Sequence, residues 1–591
     1  MRVADSLVAK LVELGIDKVF LVTGGGAMYL NDALALNPNI EAVPMHHEQS
    51  AAMAAVAYAK HRKGFGCCMV SSGCGGTNAI TGLLDAWQDS VPVIFISGQV
   101  NKNQCTVQNG SYYKDIRNFG VQEAPITEIV KPISKFIYLL DSKEKVASCL
   151  SNIKNNLTIN RPGPVWIDVP LDIQSLEYEE SELNEHKLIQ ISKKYKNHKD
   201  KLCEYLNSSE RPIILAGYGA IIAGLNERID IFSKKYNIPL ITTFGAADLS
   251  DDSIGRIGVK GNRAANFAMQ NSDCILVLGS SLSVAAVGYN YSTFAREAKI
   301  IRFDFKQFRE HTIKSDYFVE GDLQHTFNDI ENIVIDKDFV SWNEICKQNK
   351  QEWDPCYEYL NTNDIENNLY SLFKGINEYH ENDNKTSFIV DTGSSYYAGC
   401  QTLRFNKNQR LIAPIAQAEL GAAISYSVGT AMSGDSKRKV VAITGDGGFH
   451  TNVQELQVIK EYNLPIKIFV LNNNGYLSIR NTQDKFFNSR YIGSSQGSRV
   501  SLPNIQAIAK AYELDYFYCI DPYNLDEIFE FEGPAIIEYY CAEKQEIVPT
   551  LASKRLEDGT FVSRPLEDMY PFLDRDEFNK KMLIKPLKES E

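Results

Sequence analysis

The sequence predicts an α/β protein of three domains, each a doubly wound parallel sheet. Three observations lead there. The chain has 591 residues, room for three domains of ordinary size. Short apolar runs that end in glycine-rich turns and pass into helical patterns recur along it. One such stretch, Lys439 to Arg480, reads as strand, helix, strand. Val440–Thr444 is apolar and β-branched, Gly445-Asp446-Gly447-Gly448 turns, Val453, Leu456 and Ile459 share one helical face, and Ile466–Leu471 is a second buried strand after Pro465. Such a crossover makes the two strands parallel. Asp446 and Asn473 then lie just past the carboxyl ends of parallel strands, the edge at which open α/β sheets bind ligands.

Composition narrows the function. A hydrophobic content of 44% is that of a folded chain, and a formal charge of −13 argues against a general nucleic-acid surface. The twelve cysteines are scattered without metal-type CxxC pairs, a reduced, cytoplasmic pattern. Met1–Asp5 lacks the apolar core of a signal peptide, and no segment is apolar over the length of a membrane span. A cytoplasmic protein with small-molecule partners, and with neither nucleic acid nor membrane, is the expectation.

In chain order, residues 1–175 form the first domain. Ala4–Leu14 is helical, Lys18–Thr23 is a strand and Gly24-Gly25-Gly26 a tight turn. Val43–Ser50 leads into the alanine-rich helix Ala51–Lys60, which puts Glu48 at a strand-to-helix junction. Taken alone, a glutamate there is a solvated residue favoured by the helix N-terminus. The strand Gly66–Ser71 runs into Ser72-Gly73-Cys74-Gly75-Gly76-Thr77-Asn78, where Cys74 reads as a small buried turn residue. Asp89–Val100, Phe119-Gly120-Val121-Gln122-Glu123 and Gly163–Pro170 complete the domain. A charged linker covers 176–200. Residues 200–340 alternate strand and helix again, with Gly217-Tyr218-Gly219 and Gly279-Ser280-Ser281 after two strands. Residues 341–365 read as a connector, 366–560 as the third domain and 561–591 as a C-terminal arm. In the third domain, Asp391-Thr392-Gly393-Ser394-Ser395 follows the strand Ser387–Val390, and its hydroxyls and amides suit diphosphate oxygens.

The two ends of the 439–480 crossover carry complementary chemistry. Asp446 offers a carboxylate, Asn473 an amide oxygen and Gly475 a backbone carbonyl, hard ligands that suit Mg²⁺ or Ca²⁺ with water and phosphate oxygens completing the shell. The glycines around Asp446 let the backbone approach a diphosphate. Gly-Asp-Gly alone is an ordinary turn and Asn-Asn-Asn-Gly alone a loop. At the two ends of one βαβ unit they resemble the thiamine-diphosphate (ThDP) motif, and GDGGFHTNVQELQVIKEYNLPIKIFVLNNNGY is similar to the acetohydroxyacid (acetolactate) synthase-like branch of ThDP enzymes. The resemblance spans nearly the whole chain.

The resemblance implies a pyrimidine-binding domain at 1–175, a central domain at 200–340, a diphosphate-binding domain at 366–560 and an arm at 561–591 that covers active sites. It makes Glu48, in its His-Glu context, the cofactor-activating acid, and places Gln122 in the catalytic pocket. Gly25, Gly393, Ser394, Ser395, Gly445, Asp446, Gly447, Gly448, Asn473, Gly475 and Tyr476 line the cofactor, with Mg²⁺ on Asp446, Asn473 and Gly475. Ala418 and Leu420 stand where the family wedges a large apolar side chain beneath the thiazolium ring. The sequence departs from the family at Cys74, where proline is usual, and at Ser281–Ala286, where FAD-binding members carry an Arg-Phe-Asp-Asp-Arg type stretch. With that cationic anchor missing, FAD stays open. The implied activity is decarboxylation of a 2-oxo acid, pyruvate foremost, with transfer of the acyl unit to a carbonyl acceptor, either a second 2-oxo acid or a keto sugar. A non-ligating decarboxylase or C–C lyase on the same scaffold is the alternative. A catalytically silent subunit is disfavoured by Glu48, Asp446 and Asn473. The implied assembly is a homodimer or homotetramer with the site between chains.

Overall fold

The structure is a computed structural model, and it describes residues 1–108, 110–179, 197–307, 313–331, 333–356, 367–383, 385–434, 438–555 and 561–590. Three six-stranded sheets carry it, and every neighbouring pair of strands within them is parallel. Helices cover both faces of such sheets, so strands such as Val440–Gly445 are buried on both sides and read as continuous apolar runs.

The N-terminal sheet holds β1 (Lys18–Leu21), β2 (Glu41–Pro44), β3 (Gly66–Val70), β4 (Val93–Gln99), β5 (Phe136–Leu139) and β6 (Val165–Pro170), in the order β2-β1-β3-β4-β6-β5. The central sheet holds β7 (Pro212–Ala216), β8 (Leu240–Thr242), β9 (Gly255–Arg256), β10 (Cys274–Leu278), β11 (Lys299–Asp304) and β12 (Tyr317–Glu320), in the order β9-β8-β7-β10-β11-β12. The C-terminal sheet holds β13 (Ser387–Val390), β14 (Arg410–Ile412), β15 (Val440–Gly445), β16 (Ile466–Asn472), β17 (Asp515–Tyr518) and β18 (Ala535–Tyr540), in the order β14-β13-β15-β16-β18-β17. The first and third sheets thus share one strand order. The reversal of winding falls between β1 and β3 in one and between β13 and β15 in the other, and the crevice beyond such a reversal is the ligand position of this architecture.

The two outer domains pack on each other through α1 (Glu48–Arg62), α2 (Ile80–Gln88) and α3 (Ala422–Met432). Residues Ser50 to Lys60 of α1 are all buried. A helix covered on every side needs small residues wherever a neighbour crosses. A Cβ on Gly82 of α2 would stand 2.5 Å from that of Ala52, and one on Gly429 of α3 would stand 2.0 Å from the Ala54 carbonyl oxygen. One apolar core therefore runs from Phe20, Phe95 and Trp166 through α1 to Ile424, Val440 and Ile468.

Three expectations change. The segment after Gly-Asp-Gly is not one helix. It splits into Asp446–Thr451, a 3₁₀ turn Val453–Glu455 and Leu456–Glu461. Asn452 breaks it because its side chain is committed elsewhere, accepting from Ser50 Oγ and donating to the Gly421 carbonyl. The connector after 340 begins instead as a helix, Val340–Glu352, with Trp342 and Cys346 in the core of the central domain. Cys74 is exposed, because the short helix it opens turns Gly75 and Gly76 inward. The arm packs on the central domain: Leu566, Phe578, Met582 and Ile584 join its core, and the buried Arg263 donates to the carbonyls of Met569 (3.1 Å) and Pro571 (2.6 Å). Most of the expected linker, residues 180–196, lies outside the described residues. Among the described residues no helix is long and apolar enough to cross a membrane.

Candidate active site

The N-terminal half is built around Glu48. His47 is extended and caps α1, its Nδ1 accepting the Gln49 amide at 3.1 Å. That makes Glu48 the first residue of the helix, where the dipole favours a carboxylate. Glu48 Oε2 accepts from Asn78 Nδ2 at 2.9 Å. Its Oε1 faces the turn after β3, and a Cβ on Gly75 would stand 3.6 Å from it. On the same turn, Gly73 has φ +63°, and a Cβ there would meet the Gln122 carbonyl oxygen at 2.4 Å. The exposed Gln122 loop therefore lies directly on it. Gly24 and Gly26 press on Ser71 and Ser72, while around Gly25 there is open space. Glu48, Gly25 and Gln122 come together at one sheet edge. Asn78 joins them without having been singled out from sequence; its place in the same glycine-rich turn was the available signal.

The C-terminal half is built around Asp446, which is 2% exposed. Its Oδ1 accepts the Gly447 amide at 2.7 Å, and its Oδ2 accepts those of Asn473 (3.1 Å) and Gly475 (2.9 Å). The carboxylate thus stitches the end of β15 to the turn after β16. Burial raises the pKa of Asp446, and the three amides oppose that rise. Gly447 is required because a Cβ would stand 2.2 Å from the Tyr476 ring, and Gly448 because a Cβ would meet Thr444 and Asp391. Gly445 faces open space. Gly475 has φ +127° and lies against the Ser494 carbonyl. Arg480 donates to the carbonyls of Asn473 (2.8 Å) and Asn474 (3.1 Å), reaches Asn473 Oδ1 at 3.5 Å, and so braces this turn.

Two further segments reach the same edge. Gly393, at φ +78°, lies beside Ser478, so the Gly393–Ser395 turn adjoins the Tyr476 turn. The Ser395 hydroxyl is buried and donates to the carbonyls of Asp391 (3.0 Å) and Thr392 (3.1 Å); it is committed to the turn, which leaves Ser394 as the hydroxyl able to meet an anion. Asp391 accepts from Gly421 N (2.9 Å), Thr392 N (2.7 Å) and Thr444 Oγ1 (2.8 Å). It thereby pins the segment that carries Leu420. Leu420 is 39% exposed, not a core leucine, and sits between Ala418 (φ +49°) and Gly421 (φ +82°).

The donor set fits a hard divalent cation. A nearly buried carboxylate, the Asn473 amide oxygen and the Gly475 carbonyl belong to adjoining strand ends, and a cation there would offset the cost of the buried charge. The open space at Gly445 and the Gly393–Ser394 turn fit a diphosphate. The central domain does not offer the same fit to FAD. Gly217 and Gly279 are explained by contact between their own turns, since a Cβ on Gly217 would meet the Gly279 carbonyl at 2.4 Å. Leu282, Ala286 and Val287 are buried in a core shared with Leu551 and Leu566, so the stretch where the flavin anchor is expected packs on the chain's own C-terminal segments.

Within the chain, the neighbours of Glu48 contact the segment that follows Asp446. Glu455, fully buried, accepts the His46 amide at 3.1 Å, and Ser50 Oγ donates to Asn452 at 3.1 Å.

Three family models match the chain: the N-terminal TPP binding domain of thiamine pyrophosphate enzymes over residues 1–118, their central domain over 200–330 and their C-terminal TPP binding domain over 391–539. Curated relatives match along nearly their full length. The acetolactate synthase large subunit of Lactococcus lactis is 29% identical, with 92% of each chain covered. The chloroplastic acetolactate synthase of Arabidopsis thaliana is 26% identical, covering 94% of this chain and 83% of its own. The acetolactate synthase large subunit of Haemophilus influenzae is 27% identical, covering 86% and 88%.

Proposed function

The chain belongs to the thiamine pyrophosphate enzymes, as an acetolactate synthase-like carboligase, and from that premise we propose that it decarboxylates a 2-oxo acid, pyruvate first, and transfers the acyl unit to a carbonyl acceptor. The observation that carries this reading is the placement of Glu48 and Asp446. Each acid stands at the carboxyl edge of a parallel sheet, and the two sheets have the same strand order. Such a pair suits the two ends of one cofactor.

Bound ThDP supplies an electron sink that makes loss of CO₂ from a 2-oxo acid easy. The protein's part is position and proton management. Asp446, Asn473 and Gly475 would hold Mg²⁺, and Gly393, Ser394 and the open side of Gly445 would receive the diphosphate. Glu48, with Oε2 held by Asn78, keeps Oε1 for proton exchange with the aminopyrimidine. Leu420 stands up as an apolar shelf for the thiazolium. Gln122, on the loop over Gly73, would meet substrate.

The acceptor is a second 2-oxo acid or a keto sugar. The protein works as a homodimer or homotetramer, in which the exposed Phe119, Val121 and Leu420 would be covered by a second copy. Purified protein given ThDP, Mg²⁺ and a panel of 2-oxo acids and keto sugars should yield a ligated product. An aldehyde alone would make it a simple decarboxylase, and no ThDP-dependent consumption of any donor would end the proposal.

A further inference from the structure

Beneath the exposed Leu420 the chain buries a carboxyl group to which no other residue offers a donor. Glu419 is 9% exposed, and neither of its oxygens has a hydrogen-bond partner. It faces, through charge interactions with Asp85, Lys60 and Asp89, a buried polar cluster where α1 and α2 meet α3. Lys60 Nζ donates to Asp89 Oδ2 (2.7 Å), Tyr426 Oη (2.9 Å), the Ala413 carbonyl (3.0 Å) and Asp85 Oδ1 (3.2 Å). Tyr426 donates to the other oxygen of Asp85. Asp89 accepts the amides of Ile415 (2.9 Å) and Ala416 (3.0 Å), which ties the first domain to the strand end that leads to Leu420. Tyr218 and Tyr396 are the outer titratable groups, facing Lys60 and Asp89.

Charge counting shows what this requires. Lys60 is the cluster's single cation among the described residues, and it already faces Asp85 and Asp89. An ionised Glu419 would be a third carboxylate against one ammonium, buried and without a donor from any other residue. Burial first, then Asp85, push the Glu419 carboxyl up to about 9. Burial pushes Asp85 up to about 7.

The backbone links this acid to the cofactor shelf. Ala418 and Gly421 both have positive φ, so Glu419 and Leu420 form a two-residue display between left-handed positions, one side chain in and the next out. Asp89 clamps the chain upstream, and Asp391 clamps it downstream through Gly421 N.

We propose that Glu419 is a positioning residue whose protonated form seats this display on the Lys60 cluster and so holds Leu420 at the height on which the ThDP ring rests. The proposal rests on the ThDP reading given above. Ionisation adds a negative charge that the cluster cannot offset. It is relieved when the carboxylate moves toward water, and the adjacent Leu420 moves with it. Cofactor binding and the Glu419 proton are then linked: ThDP favours the protonated acid, and affinity is lost as pH rises through its ionisation.

The test is ThDP titration of the apo-protein with saturating Mg²⁺, by calorimetry, from pH 7 to pH 10. Glu419→Gln keeps the shape and stays neutral. Wild-type affinity should fall about tenfold per pH unit above the ionisation, the slope of one linked proton, while the variant stays flat. Superimposed profiles would overturn the proposal. If the glutamine variant does not fold, Asp85→Asn serves: with less repulsion Glu419 ionises earlier, so the fall in affinity should begin at lower pH, and an unmoved onset would overturn the proposal. Absence of ThDP binding by the wild type at pH 7 would overturn the cofactor reading itself, and this proposal with it.

Discussion

Asn78 Nδ2 donates to Glu48 Oε2 at 2.9 Å, reaching from the turn after β3 to the first residue of α1. One carboxylate oxygen is thus fixed and the other left free. Hydrogen bonds to charged groups contribute about 1.5–3 kcal/mol. Asn78→Ala should therefore slow proton exchange at the ThDP C2 position by roughly tenfold or more while leaving ThDP affinity within about threefold. Asn78→Asp puts a second carboxylate beside the first, which should raise the pH at which exchange reaches half its maximum. Exchange rates and pH profiles equal to wild type in both variants would show that Asn78 has no part in orienting Glu48.

Asp446→Asn removes the charge and sets an amide against three backbone donors. Outer-shell partners of a metal typically carry roughly 10–100-fold in affinity, and a direct ligand should carry at least that. Mg²⁺-dependent ThDP affinity, measured by calorimetry, should fall by roughly 100-fold or more. Unchanged affinity in a folded variant would reduce Asp446 to a turn residue.

Gly429 and Gly25 make a contrast. A Cβ on Gly429 would lie 2.0 Å from the backbone carbonyl of Ala54, whereas Gly25 has nothing within 4 Å. Gly429→Ala should destabilise the packing of α3 on α1 by about 1–3 kcal/mol. Gly25→Ala should leave the melting temperature unchanged. Equal melting temperatures for the two variants would show that α1 and α3 do not pack this closely.

His61 sets an acid limit. It is half-buried, its Nδ1 hydrogen-bonded to Ser433 at 2.6 Å and its Nε2 buried without a partner. Burial, and then Arg438, Arg410 and Arg62, push its pKa from 6.5 down to about 3. Between those two values the unfolded chain binds one more proton than the folded chain. This contribution to stability is therefore complete above pH 6.5 and is lost as pH falls below it, by about 1.4 kcal/mol per unit at full slope. His61→Gln should flatten the urea midpoint between pH 7 and pH 5 relative to wild type. Parallel curves would mean that His61 is already charged in the native state.

Much of this was legible in the sequence. Parallel strands buried on both faces appear as unbroken runs such as Ile466–Leu471, and residues such as Asp446, Asn473 and Gly475 at strand ends declare oxygen chemistry. What stayed hidden is what depends on partners distant in sequence. Ser395 has the right side chain for an anion, but its hydroxyl turns back to its own helix start. Lys60, at the end of an alanine-rich helix, looks like a solvated cation near a C-terminus; only the crossing of α3 buries it beside Asp85 and Tyr426. Glu419 reads as one more charge in a loop until that same crossing closes over it.

The central claim is that Glu48 activates ThDP bound through Asp446, and one measurement tests it without knowledge of the substrate. Protein loaded with ThDP and Mg²⁺ is diluted into D₂O, quenched in acid, and the C2 proton is followed by NMR. Wild type should exchange far faster than free ThDP. Glu48→Gln, with cofactor still bound, should exchange roughly 10²-fold more slowly or worse. Equal exchange rates in wild type and Glu48→Gln would contradict the account.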